Sequence, residues 1–378
     1  MRFLIDASAA RHSGALTQHL GFLPALDAIL PPGDECLVLG SPDLNRALGN
    51  GIRRLQVETV DAALGWKRFL ALNSRIAAYS RSFNPDALLL AHHAPGRNSA
   101  PYVLRLTDAH LVDHEVRQDL MRFYTLRERV TWQAKVVGFA RASRRASAIL
   151  CATDAVRAQL LRGLPDVAPE RVFVAHYGAS PLVARAAQHP GPRGLRLLTM
   201  HASPRKNIET ILDAMARPGM AESTLTVMAD LAAPKTPYHR FLARRIQELG
   251  LAARVHSAGY IKGMDALIGL MMEHDILLCP SRLESWSHSV VEGMGIGMPV
   301  VASDIDCHRE VAGDTAWLVP VEDSTAMAAA LASVAAGGPA VRERLDRAMA
   351  RARGFDWGGY ADGALTALRL AAGSPHSA

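Results

Sequence analysis

Glu284 and Glu292 stand eight residues apart in the segment SRLESWSHSVVEGMGIGMPVVA, residues 281–302. Ser281, Ser285 and Ser287 surround the first glutamate. The second lies in a short apolar stretch that ends at Gly295 and Gly297. Carboxylates accept hydrogen bonds from sugar hydroxyls, and the free N–H groups at a helix start hold anions. The order loop, short helix, glycine stop and apolar run (Pro299-Val300-Val301) therefore suits a ligand that carries both hydroxyls and phosphates. A basic pair, Arg205-Lys206, precedes Asn207 and a further helical pattern. Positive charge is unfavourable at a helix N-terminus, so this placement points to a phosphate, the alternative being plain surface charge.

Open α/β sheets place such residues at their strand ends, and the hydrophobic rhythm supplies those strands. Short apolar runs at 3–6, 36–39, 87–91, 103–106, 148–151 and 172–174 alternate with helical patterns at 15–29, 66–81, 114–145 and 152–163. A stretch rich in Gly, Pro and Ala interrupts the rhythm and reads as a linker. A second series follows at 195–199, 224–228, 255–257, 276–278, 300–302 and 317–319. The fold class expected is α/β, with two Rossmann-like parallel-sheet domains facing each other across a cleft. The expected division is a first domain at 1–180, a linker at 181–194, a second domain at 195–355 and a terminal helix at 356–378 that crosses back to the first domain.

A chain of 378 residues exceeds one comfortable core, in keeping with two domains. Hydrophobic residues are 49% and charged residues 21%, as in ordinary globular proteins. No apolar run reaches the roughly 18 residues of a membrane span. The opening MRFLIDASAARHSG reads as a strand entering a polar loop and lacks the plan of a signal peptide. Cys36, Cys151, Cys279 and Cys307 are scattered, with no CxxC pair and no Cys/His cluster. Reduced thiols in a cytoplasmic protein and no structural zinc are the expectation.

The net charge of +6 is uneven: residues 1–185 hold 23 Lys+Arg against 16 Asp+Glu, and residues 186–378 hold 19 against 20. The surplus concentrates at 117–145, where Arg117, Arg122, Arg127, Arg129, Lys135, Arg141, Arg144 and Arg145 interleave with apolar and aromatic residues. Such a segment suits an anionic membrane surface, the alternative being a solvated helix face. No groove-reading motif points to nucleic acid. No GxGxxG follows the first strand, which excludes an ordinary dinucleotide dehydrogenase.

Four elements in order resemble the family 4 retaining glycosyltransferases of the GT-B fold. They are ERVFVAHYGAS (170–180), similar to the inter-domain hinge; SPRKNIETILDAM (203–215), similar to the lysine-bearing loop and helix; the Glu-x7-Glu element from Glu284 to Glu292, followed by GMPVV (297–301); and HREVAGDTAWLVPVED (308–323). The resemblance implies a hexosyl or deoxyhexosyl transferase (mannosyl or rhamnosyl-like) that uses a GDP-, dTDP- or UDP-linked sugar as co-substrate. It implies retention of configuration, no required metal and no other cofactor. The donor would sit on the second domain and a glycan or lipid-linked acceptor on the first. The setting expected is cell-surface polysaccharide synthesis, cytoplasmic or peripheral on the inner face of the cytoplasmic membrane.

In that setting Arg205 and Lys206 would receive the leaving diphosphate. Glu284 resembles the family's donor-sugar glutamate and Glu292 its ribose-binding glutamate. Backbone N–H groups of Ser285, Trp286 and Ser287 would grip sugar or diphosphate; alternatively Ser287 is an N-cap and Trp286 a packing residue. Glu310 resembles a donor-side residue, or is an acid opening a short helix. His288 lies beside the donor loop or on the helix surface. Some family members carry an additional arginine near Met200-His201, a charge absent here unless Arg205 compensates. In the first domain the family's glycine loop is reduced to Gly14. Asp108 keeps a strand-end place, while the family's histidine is Thr107 here and His110 either substitutes for it or lies on the surface. His92 and His93 would line the acceptor pocket. Two alternatives share the fold: a nucleotide-sugar 2-epimerase and a non-catalytic partner subunit.

Overall fold

A computed structural model describes the chain except for residues 12, 50, 61–65, 92–99 and 374–378, with residues 13 and 66–73 described by their backbone alone. It forms two compact units. The first comprises Met1–Asp113, Trp132–Gly178 and Asp356–Ala378; the second comprises His114–Thr131 and Ala179–Phe355.

The first unit is built on seven parallel strands: β1 (Arg2–Ala7), β2 (Glu35–Gly40), β3 (Gln56–Thr59), β4 (Ala87–Ala91), β5 (Tyr102–Leu106), β6 (Ala148–Cys151) and β7 (Val172–Val174). Their order across the sheet is β3-β2-β1-β4-β5-β6-β7. The central strands are continuous apolar runs such as ALLLA, because helices cover both faces of a parallel sheet. The strand β3, absent from the expectation, reads QVET and is largely exposed at the sheet edge. The helix Trp357–Gly373 belongs to this unit and packs on the helix Ser13–Ile29, with the rings of Phe22 and Tyr360 edge-on at 5.2 Å.

The second unit carries β8 (Arg196–Thr199), β9 (Thr224–Val227), β10 (Val255–Ser257), β11 (Ile276–Cys279), β12 (Val300–Ser303) and β13 (Trp317–Val319), all parallel, in the order β10-β9-β8-β11-β12-β13. The order reverses between β8 and β11. The chain leaves β8 toward one side and β11 toward the other, which opens a crevice beyond their carboxyl ends.

The expected single helix over 114–145 is interrupted. A helix at His114–Leu120 gives way to a 3-10 turn at Met121–Phe123, and the helix Leu126–Arg145 then starts anew. Thr125 and Glu128 form a capping box: the Thr125 amide donates to Glu128 Oε2 at 2.7 Å, and the Glu128 amide donates to Thr125 Oγ1 at 3.3 Å. Phe123 turns into the second unit, edge-on to Tyr238 at 5.0 Å. Residues 114–131 therefore group with the second unit, not with the first, where the sequence reading had put them. The expected linker at 181–194 contains a short helix, Pro181–Arg185, capped by the Ser180 hydroxyl.

Candidate active site

The turn after β8 and the loop after β11 meet at the crevice of the second sheet. Glu284, 4% exposed, accepts from Lys206 Nζ at 2.6 Å, Arg205 Nη1 at 2.8 Å and Ser281 Oγ at 2.7 Å. Burial alone would push its carboxyl up, but Arg205 and Lys206 outweigh that and hold it well below the usual range. Glu284 is therefore an ionised acceptor and not a general acid. Each cation gives one N–H to Glu284, Arg205 through Nη1 and Lys206 through Nζ.

Local structure fixes these positions. The Lys206 amide donates to Ser203 O at 2.8 Å, and Asn207 takes a left-handed conformation (φ 54°) that ends the turn. Asn207 Nδ2 donates to Pro280 O at 3.1 Å, and the Arg282 amide donates to Arg205 O at 2.9 Å. The basic turn and the glutamate loop are thus laced together through their main chains. His201, also left-handed (φ 61°), stands where the sequence reading noted a missing arginine. Burial pushes its imidazole down to about 4, with Lys206 and Arg205 adding to the shift, so it is neutral at pH 7. Arg205 supplies a second cation at Glu284 beside Lys206.

Glu292 rides on the helix His288–Gly295, 7% exposed, with the Ser180 hydroxyl bonded to its carboxylate. Burial pushes its carboxyl up to about 7, against the pull of Ser180 and Lys206. The helix lies very close to the sheet. A Cβ on Gly293 would meet Val300 Cγ2 at 2.7 Å and Leu277 Cδ2 at 2.9 Å. Gly297 (φ 75°) follows the helix in a conformation that glycine adopts without strain.

Ser287 occupies the N-cap place in a left-handed conformation (φ 69°), yet its hydroxyl makes no capping bond. Its oxygen lies 3.2 Å from Nε2 of buried His308, whose Nδ1 is 2.8 Å from Ser303 O. The carbonyl requires Nδ1 to donate, so Nε2 accepts from Ser287. The capping role is thereby corrected: the serine side chain turns to the histidine. His288 is half-buried at the start of that helix, and desolvation pushes its imidazole down to about 4. Trp286, 1% exposed, packs edge-on to Phe355 at 4.9 Å, and Ser285 is buried beside it.

Residues 188–352 match the family model described as glycosyl transferases group 1. The second unit belongs to that family. Over 165 residues the chain is 33% identical to phosphatidyl-myo-inositol mannosyltransferase of Mycobacterium leprae, covering 42% of each protein, so it spans less than half of that relative's length. Two solved structures share the architecture across almost the whole chain. Sucrose-phosphate synthase from Thermosynechococcus elongatus is 15% identical with a TM-score of 0.70, covering 97% of both chains. Anabaena HepE, in complex with UDP and glucose, is 18% identical with a TM-score of 0.67, covering 98% of this chain and 97% of its own. At these identities the likeness shows the fold, which is GT-B.

Within the group 1 glycosyltransferase unit the structure brings Arg205, Lys206 and Glu284 into direct contact. Glu310 is half-buried on the helix Asp306–Ala312, and its backbone carbonyl accepts from Arg351 Nη2 at 2.7 Å. The sequence reading missed Ser180, His308 and Arg282. Ser180 alone had a local signal, as a serine before Pro181.

The first-unit residues are placed separately. Gly14 lies in the first turn of the helix Ser13–Ile29, half-buried. Asp108 follows β5 and caps a 3-10 turn, accepting from the His110 amide at 3.2 Å and lying 2.9 Å from His110 Nδ1. His110 is buried and edge-on to Trp132 at 5.6 Å, so it is not a surface histidine. His92 and His93 lie outside the described residues.

Proposed function

We propose that this chain is a retaining, metal-independent glycosyltransferase. It moves a hexose or deoxyhexose from a nucleotide-sugar to a hydroxyl of a glycan or lipid-linked acceptor in cell-surface polysaccharide synthesis. One observation carries the reading: Arg205 and Lys206 converge on a buried, ionised Glu284 at the strand-order reversal of a group 1 glycosyltransferase unit. Departure of a nucleoside diphosphate builds negative charge on phosphate oxygens. Two fixed cations at that point stabilise the charge without a divalent ion. Glu284 holds both cations in place before the donor arrives and accepts from sugar hydroxyls once it is bound. Glu292 accepts from the ribose hydroxyls. The mannosyl-transferring relative and the UDP-and-glucose-bound neighbour support a nucleotide-sugar donor.

A further partner in this reading is an anionic membrane surface, on the cytoplasmic face. The helix Leu126–Arg145 exposes Leu126 (78%), Val130 (63%) and Val137 (39%), spaced to share one face. Arg127, Arg129 and Arg141 are exposed on the same helix and offer charge to lipid headgroups. Among the described residues no single helix is long and apolar enough to cross a membrane, so association would be peripheral.

Incubation with a nucleotide-sugar panel and an acceptor extract tests this reading, with NMR reporting the anomeric configuration of the product. Retention without added metal and in the presence of a chelator is expected. A 2-epimer formed from donor alone, or an inverted product, would overturn it.

A further inference from the structure

Arg282 enters the site described above only through its amide, yet its guanidinium bonds to the basic turn and to the helix that follows it. Its side chain is buried, 6% exposed. Nη1 donates to Pro204 O at 2.7 Å, Nη2 to Glu209 Oε1 at 2.9 Å and Nε to Glu322 Oε1 at 2.6 Å. Its amide donates to Arg205 O at 2.9 Å. Pro204 and Arg205 flank the turn on the near side of Lys206, and Glu209 lies in the first turn of the helix Ile208–Met215 on its far side. Glu209 is itself held by the Tyr238 hydroxyl, which also accepts from the Ile208 amide at 2.9 Å. Arg282 sits two residues before Glu284, so one guanidinium ties the carboxylate loop to both ends of the cation turn.

The chemistry is matched to this task. A guanidinium presents its donors in a planar fork and reaches three acceptors at fixed angles; an ammonium is a point charge that does not. The brace also has an outer side. A cavity of about 590 Å³ is lined by Arg122, Phe123 and Phe241 together with Glu209, Arg282 and Glu322, and neither Lys206 nor Glu284 lines it. The guanidinium's bonds run to Pro204, Glu209 and Glu322, so its hold on Lys206 and Arg205 passes through the backbone of the turn and the helix after it.

We propose that Arg282 is a positioning residue that fixes Lys206 and Arg205 against Glu284, and thereby governs turnover more than donor binding. This rests on the transferase reading in one respect: that Lys206 acts on the leaving diphosphate. Glu322, whose side chain is half exposed, is the dispensable arm of the brace. Pro204 O and Glu209 are the indispensable ones.

The test compares wild type, Arg282→Lys, Glu322→Gln, Lys206→Ala and the Arg282→Lys/Lys206→Ala double variant in the full chain. Initial rates give kcat and donor KM, and hydrogen exchange follows the Lys206 amide. Arg282→Lys is expected to lower kcat about 10- to 100-fold with donor KM within about threefold, and to speed exchange at the Lys206 amide. Glu322→Gln should stay within about threefold of wild type. In the Lys206→Ala background, Arg282→Lys should cost clearly less than it does alone, because one of the two cations it positions is gone. A full additional loss there, or wild-type rates and exchange in Arg282→Lys, would overturn the proposal. If wild type turns over no nucleotide-sugar, the transferase reading fails while the exchange data still decide whether Arg282 holds the turn. An Arg282→Lys that unfolds is separated from this by Glu209→Gln, which keeps Arg282 and should show the same kcat-weighted loss; an unchanged kcat there would count against the brace.

Discussion

Lys206 Nζ lies 2.6 Å from Glu284 Oε1, with side chains 13% and 5% exposed. A pair this buried is poor evidence for stability, since desolvation of both charges offsets their attraction. Its position at the crevice makes better sense as a preformed phosphate site. Lys206→Ala should lower kcat by about 10²–10³ while donor KM moves by a few-fold, the pattern of an interaction made in the transition state. Steady-state rates at saturating acceptor check this. A variant with raised KM and unchanged kcat would assign Lys206 to ground-state binding instead.

Glu292 should make the protein pH-sensitive. Burial raises its carboxyl from 4.5 to about 7 in the folded state. Its contribution to stability is thus fully present below the unfolded value of 4.5 and lost as pH rises through about 7. Glu292→Gln removes that loss, so the variant should gain on wild type between pH 5 and pH 8 by at most about 2–3 kcal/mol. Urea denaturation at the two pH values measures the gain, and an equal difference at both would contradict it. Nucleotide affinity should move oppositely, strengthening in wild type as Glu292 ionises and weakening in the variant.

Gly293 allows Glu292 to sit where it does. Gly293→Ala places a methyl 2.7 Å from Val300 Cγ2. Overpacking of this kind costs roughly 1–3 kcal/mol and shifts the helix from the sheet. Thermal unfolding should show the lower Tm, and nucleotide binding should weaken with it. Wild-type affinity despite a lowered Tm would mean that the helix position does not set the site.

The exposed stripe on the helix Leu126–Arg145 predicts lipid binding that can be separated from catalysis. Leu126→Asp with Val130→Asp should cut co-sedimentation with anionic vesicles about tenfold or more, leaving neutral vesicles and turnover of a water-soluble acceptor unchanged. Equal sedimentation of wild type and variant would remove this helix as the contact.

Much of this was readable in the sequence because parallel strands covered on both faces are short, unbroken apolar runs. The central strands β1, β4, β8 and β11 announce themselves that way, and so do the loops at their ends. The edge strand QVET does not, since exposure leaves it no apolar pattern. The break at residues 121–125 was hidden because Phe123 is drawn out by Tyr238, more than 100 residues onward. The capping box of Thr125 and Glu128 was the local signal for it. Arg282, His308 and Ser180 escaped for a related reason: Arg282 meets Glu209 and Glu322, His308 meets Ser287 and Ser180 meets Glu292 far along the chain, and even the serine before Pro181 signals only a cap.

The central claim is that the turn at Arg205-Lys206 and the helix of Glu292 form one nucleotide-sugar site. Thermal shift of wild type and Glu292→Ala across GDP-, UDP- and dTDP-linked sugars tests it most directly. One nucleotide class should stabilise wild type by several degrees, and Glu292→Ala should lose most of that shift. No stabilisation by any nucleotide-sugar, or an equal shift in both proteins, would contradict it.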